Sequence, residues 1–257
     1  MISSLRRTAR LAIRASARDV TAATASRSAL VLAPHPDDET LGCGATILRK
    51  VAHGTQVTVA VLTDGSGSHH SPTIRPDRLT ALRHAEMAEA ARRLHLPGGA
   101  VRWGGFRDGE LASFEDEAVG FIAGLITELQ PEEVYATSAE EPHPDHAALG
   151  RAARRAVAAV AGVTLLEYPV WLWGAWPLQA GDRIGSGLDA AAIVLGRRAQ
   201  RVRSEEYASA KLHALDAHNT QLRRPSFVPA DEEWAVLPPP VLHAASAPEE
   251  LFLPWRH

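Results

Sequence analysis

The sequence predicts an α/β fold, a single domain on a mostly parallel sheet with helices on both faces. Short, almost wholly apolar runs recur at 29–33, 57–62, 134–137 and 163–170. Longer segments with helical spacing of apolar residues separate them. Strands alternating with helices of about 10–15 residues read as βαβ units, and so as parallel pairing. At 257 residues with 46% hydrophobic content, the chain is long enough to bury one sizeable core.

The elements follow in order. Residues 29–33 form the first strand, and 40–53 a helix after a turn rich in His, Pro and Asp. A second strand covers 57–62, and a Gly/Ser/His loop runs from Asp64 to Ser71. Leu79, Leu82, Met87, Ala90 and Leu94 mark a long helix over 77–95. Residues 101–103 form a short strand, 115–129 a helix, and 134–137 a third buried strand. An Ala-rich helix over 146–160 and a strand over 163–170 follow. After about residue 222 the chain is Pro-rich, with Pro238, Pro239 and Pro240 in a row, and reads as an irregular tail over the surface. Residues 1–28 read as an N-terminal arm or helix, and 29–257 as the main domain. The Arg/Ser/Ala bias of residues 1–28 superficially matches an organellar transit peptide. The same bias runs on through Ala152-Ala153-Arg154-Arg155, and there is no apolar run long enough for a secretory signal.

Composition narrows the function classes. A net charge of −3 argues against nucleic acid as a partner. No apolar run approaches the length of a transmembrane helix. The single cysteine, Cys43, excludes an intramolecular disulfide and a Cys-rich zinc ribbon. It fits a reducing compartment, and so a cytoplasmic protein. A homo-oligomer is compatible with everything in the chain.

Two runs carry the chemistry. One is His35-Pro36-Asp37-Asp38-Glu39, just past the first strand; the other is His143-Pro144-Asp145-His146, past the third. In open α/β sheets, ligands bind at the carboxyl ends of the strands. Pro36 and Pro144 stiffen both turns. His35 and Asp38, three residues apart around a turn, can chelate one divalent ion, and His146 can close the site from a separate loop. Three protein ligands with an open fourth position suit a catalytic metal rather than a structural one. Adjacent Asp37 and Asp38 cannot easily point the same way, so one carboxylate is free for proton transfer while the other binds metal. A metal-activated water, and hence a hydrolase, follows.

These residues resemble the LmbE-like or PIG-L-like zinc-dependent N-acetylglucosaminyl deacetylases. The family's first signature stands intact at 35–39 and its second at 143–146. Weaker echoes are Thr63-Asp64-Gly65, Arg83 with Glu86, Asp108-Gly109, and Lys211 through Gln221 with His218. The match covers about residues 29–222. The resemblance implies a Rossmann-like (lactate-dehydrogenase-like) single domain, and a metal-dependent hydrolase that removes an N-acyl group from a glucosamine-like sugar. It implies His35, Asp38 and His146 as ligands of Zn2+, with Fe2+ as an alternative occupant. It makes Asp37 the general base and His143 the group that stabilises the oxyanion or protonates the leaving amine. A small-molecule amino sugar is the expected partner. The alternatives are an amidase of a thiol-sugar conjugate, a non-catalytic amino-sugar-binding protein, and a metal-dependent phosphoester hydrolase, which would often need two metals and more carboxylate ligands than the chain offers.

Further residues carry two readings each. Arg83 either bonds a substrate hydroxyl or phosphate, or faces solvent or pairs with Glu86 or Glu141. Asp108 either touches substrate or belongs to a turn with Gly109. His69 and His70 either line the mouth of the site or are solvated. Asp145 is read as orienting a histidine, and Glu39 as supporting the turn. Trp171, Trp173 and Trp176 either stack on substrate, with Trp171 and Trp173 the candidates, or pack the core or a subunit contact.

Overall fold

The computed structural model describes residues 2–172 and 199–255. In chain order its elements begin with α1 (Ile2–Ser16), β1 (Arg18–Asp19) and α2 (Thr21–Ala25). Then come β2 (Ala29–Ala33), α3 (Asp38–Ala52), β3 (Val57–Thr63), α4 (Pro76–Arg93) and β4 (Val101–Phe106). A short 3-10 turn leads into α5 (Glu115–Leu129), then β5 (Glu133–Thr137), α6 (Pro144–Ala158) and β6 (Thr164–Tyr168). The rest comprises β7 (Gln200–Arg203), α7 (Ala208–Leu215), α8 (Asn219–Leu222), α9 (Pro239–Ala245) and β8 (Glu249–Pro254).

The eight strands make one sheet in the order β1-β7-β8-β6-β5-β2-β3-β4. Within it, β4, β3, β2, β5 and β6 are all parallel. Chain order along that run steps outward from β2 to β3 and β4 on one side, then to β5 and β6 on the other. This is the doubly wound, Rossmann-like arrangement, and its order reverses between β2 and β5. A crevice opens at that reversal, beyond the carboxyl ends of the two strands. Both His-containing runs leave from those ends.

Strand side chains alternate between two cores, as the pleat requires. Val31, Val59, Tyr135 and Leu166 face α3, α4, α7 and α9. Leu30, Leu32, Leu62 and Val134 face α5 and α6. Helices therefore cover both faces.

The stretch after residue 222 departs from the expected meander. Residues 223–238 are irregular, but α9 buries Val241 and Ala245, and β8 buries Leu251 and Phe252. β8 inserts between β6 and β7, antiparallel to both. The prolines do not prevent this, because Pro239 takes the first turn of α9, where its missing N–H costs nothing. The predicted strand at 101–103 extends to Phe106. No described helix is long and apolar enough to cross a membrane.

Candidate active site

The two short links out of β2 and β5 deliver the site. After Ala33 the chain turns through His35 and enters α3 at Asp38. After Thr137 it loops to His143, which precedes Pro144 at the first turn of α6. His146 thus lies in the first turn of a helix rather than in a loop, and it is fully buried. The amino ends of α3 and α6 converge on one point. Their partial positive charge favours the carboxylates placed there.

The donor atoms of His35, Asp38 and His146 converge closely enough for one divalent cation. His35 Nδ1 lies 3.2 Å from Asp38 Oδ2, and His146 Nε2 lies 3.3 Å from the same oxygen. Donor atoms of all three residues lie within 4.8 Å of one another. Tetrahedral zinc with bonds of about 2.0–2.1 Å separates its ligand atoms by about 3.3 Å. Both ring nitrogens of His146 are buried without a hydrogen bond. A buried polar atom left unpaired costs about 1–3 kcal/mol, and a cation at this point would satisfy Nε2. The residues present fit a metal.

A second layer of groups orients His35. Its Nε2 lies 3.2 Å from Asp145 Oδ2 and 3.1 Å from Asp108 Oδ1. An Nε2–H directed at those carboxylates leaves the Nδ1 lone pair facing Asp38, as metal ligation requires. Asp145 is itself fixed by the N–H groups of Gly109 (2.7 Å) and Leu111 (3.1 Å). Burial alone would lower the basicity of His35, but the carboxylates of Asp108, Asp145 and Asp38 push it well above its ordinary value. Burial would raise Asp38, yet His146 and His35 hold it far below the usual carboxylate range.

Asp37 stands beside this cluster with a different environment. Burial pushes its pKa up to about 7, with Asp38 and Glu39 adding to the effect and Arg83 and His218 opposing it. Its backbone has φ 135°, ψ −28°, a region L-residues avoid. Arg83 Nη2 lies 3.5 Å from Asp37 Oδ2 and donates to the Pro36 carbonyl at 2.6 Å. Arg83 pairs with neither of the glutamates suggested by sequence. Glu86 accepts from the Thr220 amide and hydroxyl, and Glu141 accepts from the amides of Val170, Trp171 and Leu172. Burial pushes His143 down to about 4, with His35 and His146 adding to the effect, so its imidazole is neutral.

A cleft of about 270 Å³ lies over these groups. His35, Asp37, Asp38, Arg83, Asp108, His143, His146 and Trp171 all line it. Asp108 is both a turn residue before Gly109 and a cleft residue. The Trp171 ring lies 6.3 Å from that of His143 at 25°. Trp173 and Trp176 lie outside the described residues. A further wall joins Gln221, which ends the Lys211–Gln221 stretch resembling the family, to Ala235, Val236 and Leu237, which carry no motif. His69 joins it, stacked on Trp234 at 3.8 Å and donating from Nε2 to the Ala235 carbonyl at 2.6 Å, whereas His70 is exposed. No local sequence signal marks this wall, because its two halves meet only through the fold.

Residues 30–157 match the family model described as PIG-L, GlcNAc-PI de-N-acetylase. A 1D-myo-inositol 2-acetamido-2-deoxy-alpha-D-glucopyranoside deacetylase of Salinispora arenicola is 32% identical over 238 residues, 76% of this chain and 76% of that protein. The enzyme of the same description from Geodermatophilus obscurus is 33% identical over 180 residues. There the match covers 60% of this chain and 59% of the relative's length, less than two thirds of it. Among solved structures, the N,N'-diacetylchitobiose deacetylase of Pyrococcus horikoshii shares the fold with a TM-score of 0.60 and 23% identity, over 77% of this chain and 72% of that one.

Proposed function

Because the chain belongs to the PIG-L family, we propose that it is a metal-dependent hydrolase removing an N-acyl group, acetyl in the simplest case, from a glucosamine-like sugar. The observation that carries the reading is the buried His146, without a hydrogen bond and 3.3 Å from Asp38, in a cleft that Asp37 also lines. His35, Asp38 and His146 would hold the cation, and a two-imidazole, one-carboxylate donor set suits zinc as well as Fe2+. When bound, such a cation supplies Lewis acidity and an acidified water.

The chain's own groups do the rest. Asp37 accepts the proton of the attacking water at its carboxylate. A pKa near 7 lets it give that proton on to the departing nitrogen. Arg83 opposes the upward push of burial on Asp37 and so favours its charged, proton-accepting form. His143, neutral and at the mouth, donates its N–H to the amide oxygen as charge develops there. A carbon–oxygen bond forms, the carbon–nitrogen bond breaks, and an acid and a free amine leave. Trp171 offers a flat wall for the apolar face of a sugar, and Asp108 an acceptor for its hydroxyls.

The test is amine release from a panel of N-acetylglucosamine derivatives, with the protein as isolated, chelated and re-supplied with zinc. Release should vanish on chelation and return with zinc. Asp37→Asn should keep one metal per chain and lose about 10²–10⁴ of turnover, whereas His146→Ala should lose the metal. Equal metal loss in both variants, or no release from any amide, would overturn the assignment.

A further inference from the structure

Two adjacent aspartates serve one cleft in different roles, and the backbone must reverse between them. That reversal is the φ of 135° at Asp37. Such a conformation is strained and persists only where its surroundings hold it. The Asp37 N–H donates to Glu39 Oε2 at 3.0 Å. The other oxygen of Glu39 accepts the Thr40 hydroxyl at 2.5 Å and faces His218 Nε2 at 3.4 Å. Glu39, Thr40 and His218 are all 0% exposed. Neither Glu39 nor His218 lines the cleft or belongs to the ligand cluster. A buried carboxylate–imidazole pair is costly to desolvate, and in this place it does nothing for substrate or metal directly.

We infer that Glu39 and His218 are positioning residues for Asp37. Glu39 fixes the strained main chain through the Asp37 amide. His218, delivered by the turn between α7 and α8, fixes Glu39. Relaxation of that turn would swing the Asp37 carboxylate out of the cleft while leaving Asp38 in its helix. The role rests on Asp37 acting as the base in the proposed hydrolysis.

The experiment measures kcat, KM and zinc affinity for Glu39→Ala, Glu39→Gln and His218→Asn, each alone and in an Asp37→Asn background. Glu39→Ala and His218→Asn should lower kcat about 10–100-fold. KM and the zinc dissociation constant should stay within about twofold. Glu39→Gln keeps an acceptor for the Asp37 amide and should recover most of kcat. In the Asp37→Asn background Glu39→Ala should add no further loss, since both changes remove the same contribution. If Glu39→Ala does not fold, His218→Asn carries the same expectations. Variants as active as an active wild type would overturn the positioning role alone. So would zinc loss in step with kcat, or an undiminished Glu39→Ala effect beside Asp37→Asn. A zinc-loaded wild type silent on every amide would overturn the hydrolase reading and this role together.

Discussion

Asp37 shows how much of the site a reader of residues can find. Its place beside Asp38 in one short run announces that one carboxylate binds metal and its neighbour does something else. Nothing in the run announces which way each points; that depends on φ at one residue and on Arg83 from a distant helix. The same limit hid the wall of Ala235 to Leu237, which is held at the cleft by contacts distant in sequence: the Leu237 amide donates to the Gln221 carbonyl, Trp234 Nε1 to the Thr220 carbonyl, and His69 stacks on Trp234. Strain at Asp37 yields a prediction with opposite signs. Glycine adopts positive φ without penalty. Asp37→Gly also removes a carboxylate from a cluster that already holds Asp38 and Asp108. The metal-free variant should therefore melt higher than the metal-free wild type, by an amount corresponding to about 1–3 kcal/mol, while showing no turnover. A lower melting temperature would mean that the Arg83 contact outweighs the strain.

At the level of elements, the helices and parallel strands between residues 29 and 168 were legible because each is written in apolar periodicity. The strands β7 and β8 were not, since one is short and rich in Arg and the other follows a proline run. α3 matters most, because it begins at Asp38 and carries the support for Asp37. Its Gly42 lies against β6 so closely that an added Cβ would meet the Tyr168 ring at 2.2 Å. Tyr168 cannot yield easily, as its hydroxyl donates to the Leu32 carbonyl at 2.7 Å. Gly42→Ala should destabilise the fold by about 1–3 kcal/mol, as overpacking does elsewhere, in chemical denaturation. An unchanged midpoint would show that α3 can shift without cost.

Across the whole molecule, two buried ion pairs tie the sheet to its surroundings. Lys50 meets Glu133 at 2.8 Å, and Lys211 meets Glu250 at 2.8 Å. Glu250, on β8, also accepts from the amides of Ala45 and Thr46 and the Thr46 hydroxyl. Lys211 donates to the Leu41 carbonyl. The late strand therefore grips the middle of the helix that starts at Asp38. Glu250→Ala takes the carboxylate from Lys211 and the acceptor from two amides, and should cost about 3–5 kcal/mol. Loss of zinc affinity in the fraction that remains folded would show that this grip reaches the ligands. The same strand imposes an order on synthesis. The parallel strands up to residue 168 can pair as soon as they leave the ribosome. Among the described strands, however, β1 pairs only with β7, β7 pairs also with β8, and Ile13 of α1 is covered by Ala199 and Leu251. At about 5–20 residues per second, the segment around Ile13 waits roughly ten to fifty seconds for its cover to be translated. α1 therefore docks only after most of the sheet has been made, and Ile13 closes the described fold last.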